Sequence, residues 1–290
     1  MKKLLYWTLS LIMAASLTAC SASTGQPADD ASSTPQTTQT ATLKDGTYDG
    51  YDPQPTYLAR ALVTIGDGKA VSYEFEEIHL PNYWATYTQE EAQQAGEEEV
   101  IAIEGSRGTT WYARHVVIGT GDEAIHLTAQ DQPKEAANGS SYLVYGNQDI
   151  DDFSEYVADD DHAAWYYEQI LAGNYWIEDA SGNLKEDLAT YSYTRDDGVV
   201  LDKAQSRCKT QIMHWTAEGS GIGTEMGANG WSGNLTILGD TLLQLQFPQG
   251  EVTKNQENQV VIADTVTTAT IEEYQGYVQM FYDAYNKAKA

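Results

Sequence analysis

Residues 59–75, ARALVTIGDGKAVSYEF, decide the fold class of this chain. Apolar side chains occupy every second position on both sides of a glycine-rich turn: Ala59, Ala61, Val63 and Ile65 before it, and Val71, Tyr73 and Phe75 after it. The turn itself is Gly66-Asp67-Gly68-Lys69. Alternation with a period of two around such a turn is typical of an antiparallel β-hairpin with one buried face. The stretch therefore predicts two paired strands.

Outside this hairpin, short strand patterns and helical patterns follow one another without strict alternation. Strands are predicted at 109–118, 124–129, 140–145, 209–216 and 260–263, with a second hairpin formed by 191–194 and 199–202. Helices are predicted at 89–95, around Phe153 and Val157, at 164–171 and at 235–247. This order favours an α+β fold of antiparallel hairpins packed with helices over a doubly wound parallel sheet.

The clearest helical pattern covers residues 270–287. Thr270 precedes Glu272 and Glu273, which is the arrangement of a capping box at a helix start. The apolar and aromatic side chains that follow fall on one helical face: Tyr274, Tyr277, Val278, Phe281 and Tyr285. We expect a long amphipathic C-terminal helix that begins at Thr270.

The first twenty residues, MKKLLYWTLSLIMAASLTAC, have the pattern of a bacterial lipoprotein signal peptide. A basic start precedes a 14-residue, mostly apolar stretch that is short for a membrane span. The run Leu17-Thr18-Ala19-Cys20 looks like a lipobox, in which cleavage precedes a diacylated cysteine. We therefore predict a signal peptide at 1–19, lipidation of Cys20, and a chain held by its lipid on the extracytoplasmic face of a cell membrane.

Residues 21–43 contain ten Ser or Thr, two Pro and no aromatic side chain. A segment of this composition cannot bury a core, so 20–43 is predicted to be the lipidated cysteine and a disordered linker. The α+β body then covers 44–290. The sequence leaves open whether this body is one domain or two subdomains, 44–185 and 186–290.

The charge of the chain restricts its partners. It has 16 Lys and Arg against 43 Asp and Glu, a formal net charge of −27 at pH 7. Nucleic acids need cationic partners, so nucleic-acid binding is excluded as a function class.

Familiar catalytic and metal-binding patterns are absent from the sequence. The glycine-rich stretch 219–230 has neither the phosphate-loop nor the dinucleotide-binding spacing. The five histidines follow no zinc pattern, and we predict no metal site; Asp159-Asp160-Asp161 is interpreted as a solvated helix face. After Cys20 is acylated, Cys208 is the one remaining thiol, and we expect it to be buried and structural.

Residues 264–270, DTVTTAT, resemble the motif D-x-x-[ST]-G-A-[ST] of FMN-binding domains. Such domains occur in flavin subunits of sodium-pumping NADH:quinone reductases and in bacterial surface lipoproteins. The opening KDGTYDGY at 44–51 and the hairpin after it are similar to the start of these lipoproteins, so the resemblance covers 44–79 and 258–288.

The resemblance implies FMN bound through a phosphoester to Thr270, installed by a flavin transferase. The rest of the cofactor-binding motif would be Asp264, Thr267, Thr268 and Ala269, where Thr268 stands in place of the family's glycine. Glycine is usually needed where the backbone approaches a cofactor closely. A phosphate on Thr270 would be favoured by the N-terminus of the predicted helix.

Three functions remain open, and an electron carrier or a binding protein is favoured over a catalyst. In the first, the protein is a surface electron carrier with FMN, a redox partner and Trp231 shielding the flavin ring, although Trp231 equally suits a core. In the second, it is a glycan- or cell-wall-binding module that uses its aromatic side chains, among them Trp84, Trp111, Trp165, Trp176, Trp215 and Trp231. In the third, it is a structural or interaction lipoprotein on a flavin-domain scaffold that has lost its cofactor, which Thr268 favours.

Overall fold

A computed structural model describes residues 42–95, 100–104, 110–136, 139–185, 193–195, 198–212 and 230–289. The predicted signal peptide, Cys20, nearly all of the linker, residues 213–216 of a predicted strand, the glycine-rich stretch up to 229 and Trp215 lie outside the described residues.

The described residues form an α+β fold, as predicted. The strands are β1 Gly46–Pro53, β2 Tyr57–Gly66, β3 Lys69–His79, β4 Thr86–Tyr87, β5 Ile101–Glu104, β6 Thr110–Ala113, β7 His115–Ile118, β8 Ile125–Ala129, β9 Lys134–Glu135, β10 Ser141–Tyr142, β11 Tyr145–Gly146, β12 Tyr175–Glu178, β13 Leu184–Lys185, β14 Tyr193–Thr194, β15 Val200–Leu201, β16 Val252–Lys254, β17 Val260–Ile262 and β18 Thr265–Val266. The helices are α1 Pro81–Trp84, α2 Gln89–Ala95, α3 Phe153–Tyr156, α4 Asp160–Leu171, α5 Lys209–Ile212, α6 Gly230–Gln244 and α7 Tyr274–Lys287, with 3₁₀ turns at Gly121–Glu123 and Gln205–Arg207.

All strand pairs within the described sheets are antiparallel. The strand orders are β1-β2-β3, β11-β8-β7-β12-β13, β4-β6-β5, β16-β17-β18, β9-β10 and β14-β15. The predicted hairpin is confirmed as β2 and β3. Its turn residues Asp67 and Gly68 have φ values of 52° and 71°, as a tight two-residue hairpin turn requires. The prediction that Val71 lies on the buried face of this hairpin is wrong: Val71 is exposed and Ala70 is buried, because the register shifts between Thr64 and Ile65.

Two hydrophobic clusters lie on the β1-β2-β3 sheet. The first joins Leu58 and Ile78 to α4, β7 and β12. The second joins the alternating residues of β2 to α6, α7 and β17. Each cluster draws residues from both sides of the predicted boundary at 185/186, because Cys208 belongs to the first and Ala61 to the second. The division into two subdomains stays a prediction.

Helix α7 lies directly against β1, where Gly50 makes the close approach possible. A Cβ atom at Gly50 would lie 2.0 Å from the Met280 carbonyl oxygen and 2.7 Å from the Ala284 nitrogen. Contact this close requires the absence of a side chain. The two ends of the chain that carry the flavin-domain resemblance therefore pack on each other.

Four predictions about local structure are wrong. The predicted strand 140–145 is divided into β10 and β11, which belong to different sheets. The predicted strand 109–118 is divided at Arg114 into β6 and β7. Residues 209–212 form the short helix α5 instead of a strand, because Glu76 Oε1 accepts a hydrogen bond from the Thr210 N–H at 2.9 Å and holds the first turn. Helix α7 begins at Tyr274, four residues after Thr270, and its N-cap is Glu273, which makes no side-chain capping bond.

Candidate functional site

The motif residues 264–270 begin in the turn between β17 and β18, contain β18 and end in the segment after it. Ala263 and Asp264 form the turn between β17 and β18, with φ values of 45° and 67°. The buried Thr267 then closes the loop, since its hydroxyl donates to the Val260 carbonyl oxygen at 2.8 Å. The same hydroxyl accepts the Ala269 N–H at 3.1 Å. Thr267 and Ala269 therefore hold the loop together from inside, whereas Asp264 and Thr268 are exposed.

Thr270 is bound to helix α6 and not to the start of α7. Its N–H donates to Asn234 Oδ1 at 2.7 Å, and Asn234 is completely buried on α6. The Asn234 amide also donates to the Gly230 carbonyl oxygen at 2.6 Å. Thr270 thus lies before the helix, in a segment where Ile271 is buried. The predicted helix N-terminus at Thr270 is wrong, so the argument that a helix N-terminus favours a phosphate on Thr270 loses its basis.

Trp231 is a core side chain. It is 2% exposed, and its edge packs on Phe75 with the ring centroids 5.8 Å apart. Its Nε1–H donates to the Tyr277 hydroxyl at 3.1 Å. Asn234, one turn further along α6, connects this helix to Thr270. The structure therefore brings the Trp231 helix and the motif together, but the indole ring is enclosed in the body.

The residues around Thr270 do not fit the phosphate group of FMN as the resemblance implies. The backbone N–H groups of Ala269 and Thr270 donate within the protein, and the exposed carboxyl residues Glu272 and Glu273 come next in the chain. A phosphate needs free N–H donors and positive potential. Covalent FMN at Thr270 stays a prediction, now without the helix N-terminus that supported it.

A buried ion pair lies behind Trp231. The Glu77 carboxylate accepts from Lys209 Nζ at 2.5 Å and from the Tyr277 hydroxyl at 2.7 Å. Lys209 Nζ lies 4.5 Å from the centre of the Trp231 ring. Burial raises the pKa of Glu77, and the charge of Lys209 opposes that rise. The sequence analysis missed this pair. The sequence does hold one sign of it: Glu77 is a charged side chain at the next position, after Tyr73 and Phe75, on the face of the strand that points inward.

A groove of about 400 Å³ lies between α7 and the loop that leads into β16, on the sheet whose turn carries Asp264. It is lined by Pro248, Gln249, Gly250, Val252, Gln275, Val278, Gln279, Tyr282, Asn286 and Lys289. The lining contains no carboxylate, although the chain has 43 Asp and Glu. The sequence analysis missed the groove, although Gln275, Gln279, Tyr282 and Asn286 follow one another at helical spacing.

The remaining predicted features have structural roles. Asp159 caps α4, because its Oδ1 accepts the N–H of Asp161 at 3.0 Å. Among the described residues, no group of three or more His, Cys, Asp or Glu is placed to hold a metal ion. Cys208 is buried, as predicted, and burial raises the pKa of its thiol to about 12.

The tryptophans do not form an exposed binding surface in the described part of the chain. Trp84 is buried like Trp231, and Trp111, Trp165 and Trp176 are each half-buried. Within the same residues, no helix is long and apolar enough to cross a membrane.

Comparison of the chain with protein families, with curated proteins and with solved structures finds no match.

Proposed function

We propose that this protein is a lipid-anchored, extracytoplasmic glycan- or cell-wall-binding protein, built on a flavin-domain scaffold that has lost its cofactor. The lipobox at Leu17–Cys20 and the linker that follows support the anchor. A reach of roughly 25–30 Å for the 23-residue linker suits a body that acts close to the membrane surface.

The packing of two distant segments on each other supports the proposal of a flavin-domain scaffold. The segments that resemble FMN-binding domains, 44–79 and 258–288, share the second hydrophobic cluster, where β2 meets α7 and β17. Cofactor loss would leave this packing in place while the cofactor motif changes.

One observation supports the proposal that the protein has lost its cofactor. Two groups expected beside FMN are engaged within the body: the Thr270 N–H, which would face the phosphate, with Asn234, and the Trp231 indole, which would shield the ring, with Tyr277. Binding a flavin ring against Trp231 would require this buried side chain to leave the core. The exposed Thr268 also occupies the position of the family's glycine.

A flavin-carrying electron carrier is the second candidate, favoured by one contact. Lys254 Nζ lies 3.4 Å from the Thr270 carbonyl oxygen, and an ammonium group at this place would stabilise a phosphate on Thr270. When bound, FMN would supply one- and two-electron redox chemistry, with the protein contributing position and electrostatics.

The test is to purify the lipidated protein in detergent after co-expression with a flavin transferase. We expect a visible spectrum without flavin absorption, and co-sedimentation with insoluble cell-wall glycan. Thr268→Gly restores the family's glycine. The variant should regain flavin if the motif is a decayed flavin site, and it should bind none if the motif never held flavin. Flavin that survives denaturation in the wild-type protein, with no binding to the glycan, would establish the electron carrier instead.

A further inference from the structure

We infer that the groove between α7 and the 248–252 loop binds a neutral oligosaccharide. This inference rests on the proposed binding function, and it places the ligand at a site outside the 264–270 motif. The groove has the size of a small-ligand site, since such sites usually measure about 300–1,000 Å³.

The lining of the groove supplies the groups that recognise sugar hydroxyls. Gln249, Gln275, Gln279 and Asn286 each present an amide, which has both donor and acceptor atoms, as a sugar hydroxyl does. All four are exposed. Among the residues that the structure describes, Gln249 has no hydrogen-bond partner, so its amide is available to a ligand.

An aromatic wall is fixed behind these amides. The Tyr282 hydroxyl donates to the Pro248 carbonyl oxygen at 2.5 Å, and its ring packs edge-on against Phe247. The helix and the loop are thereby joined across the base of the groove. An apolar ring beside convergent amides suits a ligand that has apolar C–H faces and polar edges.

The charges at the groove exclude the other common ligand classes. No carboxylate belongs to the lining, and the nearby Asp283 carboxylate accepts from the Gln279 amide at 2.8 Å, so the lining offers a metal cation or a basic peptide no charged partner. Lys289 is the one cationic side chain of the lining, and its ammonium donates to Asn286 Oδ1 at 2.7 Å. The net charge of −27 repels anionic ligands at long range. A neutral, polyhydroxylated ligand meets neither obstacle.

Calorimetric titration of the full lipidated chain in detergent tests the inference, with a β-1,4-linked N-acetylglucosamine trisaccharide as the neutral probe. Gln275→Ala combined with Gln279→Ala removes two exposed amides and introduces a good helix former at both positions. The matched control combines Gln244→Ala with Gln256→Ala, two exposed glutamines that do not line the groove.

We expect the wild type and the control to bind the trisaccharide equally, and the groove variant to bind it roughly tenfold more weakly, because two hydrogen bonds are lost. Equal binding by all three proteins would overturn the groove as the site and leave the proposed function standing. Absence of trisaccharide binding with retained sedimentation on cell-wall glycan would overturn the ligand class. Absence of both would overturn the proposed function as well.

Discussion

The buried ion pair of Glu77 and Lys209 allows a quantitative prediction about what holds the α6–α7 side of the body together. Lys209→Met leaves the Tyr277 hydroxyl as the hydrogen-bond donor to the Glu77 carboxylate, in a site where Glu77 is 1% exposed. Removal of one member of a buried pair typically costs about 3–5 kcal/mol, because the other charge stays buried. We expect this loss in the free energy of unfolding, measured by urea titration with tryptophan fluorescence at pH 7.5.

Two further variants make the reasoning refutable. Lys209→Met combined with Glu77→Met removes both charges, so it should recover most of the loss of the single variant, since a well-packed apolar pair is often neutral relative to a buried ion pair. Lys69→Met, at an exposed turn position, is the control and should change stability by less than about 0.5 kcal/mol. The reasoning fails if Lys209→Met lowers the free energy of unfolding no more than Lys69→Met does, or if the double variant is no more stable than Lys209→Met alone.

The pH dependence of Lys209→Met follows from the same geometry. Without the Lys209 charge, burial raises the folded-state pKa of Glu77 further above the unfolded value. The folded state then binds a proton more readily than the unfolded state, so lowering the pH stabilises the variant relative to the wild type. The difference in stability between the two proteins should therefore shrink from pH 7.5 to pH 5.5, and a difference that grows would contradict a buried carboxylate.

Three other predictions concern the body. Gly50→Ala should lower the free energy of unfolding by about 2–3 kcal/mol, because its Cβ would lie 2.0 Å from the Met280 carbonyl oxygen. Gly66→Ala is the control: its Cβ would lie 3.5 Å from Val71, so it should change the free energy of unfolding little in the same urea titration. Burial lowers the pKa of His79 to about 3, so between pH 6.5 and pH 3 the His79 imidazole is protonated in the unfolded chain and neutral in the folded protein. The stability advantage of wild type over His79→Phe, measured by calorimetry, should therefore fall by about 1.4 kcal/mol per pH unit from pH 6.5 towards pH 3. Cys208, whose thiol pKa is raised to about 12, should react with iodoacetamide at pH 8 only after unfolding, and rapid labelling of the folded protein would contradict its burial.

The parts of the fold that were predictable are those whose pattern is local. The β2–β3 hairpin follows from alternation and its turn, and the apolar face of α7 follows from the spacing of Tyr274, Tyr277, Val278 and Phe281. Residues 209–212 were not predictable as a helix, because a contact from Glu76, more than 130 residues earlier, holds its first turn.

The site was less predictable than the fold, because its partners are distant in sequence. A capping box at Thr270 is a sound local expectation, but the buried Asn234 takes its N–H and the helix begins at Tyr274. The sequence left Trp231 equally suited to shielding a flavin ring and to a core, and contacts with the distant Tyr277 and Phe75 place it in the core. The groove depends on how the 248–252 loop meets α7, and only the stripe of amides on α7 can be found in the sequence.

The intact mass of the mature protein, purified from membranes of cells that also produce a flavin transferase, tests the central claim most directly. The account predicts a chain that begins at Cys20, carries a diacylglyceryl group and has no added FMN. A mass increased by FMN, with the modification mapped to the peptide that contains Thr270, would contradict the claim that the scaffold has lost its cofactor.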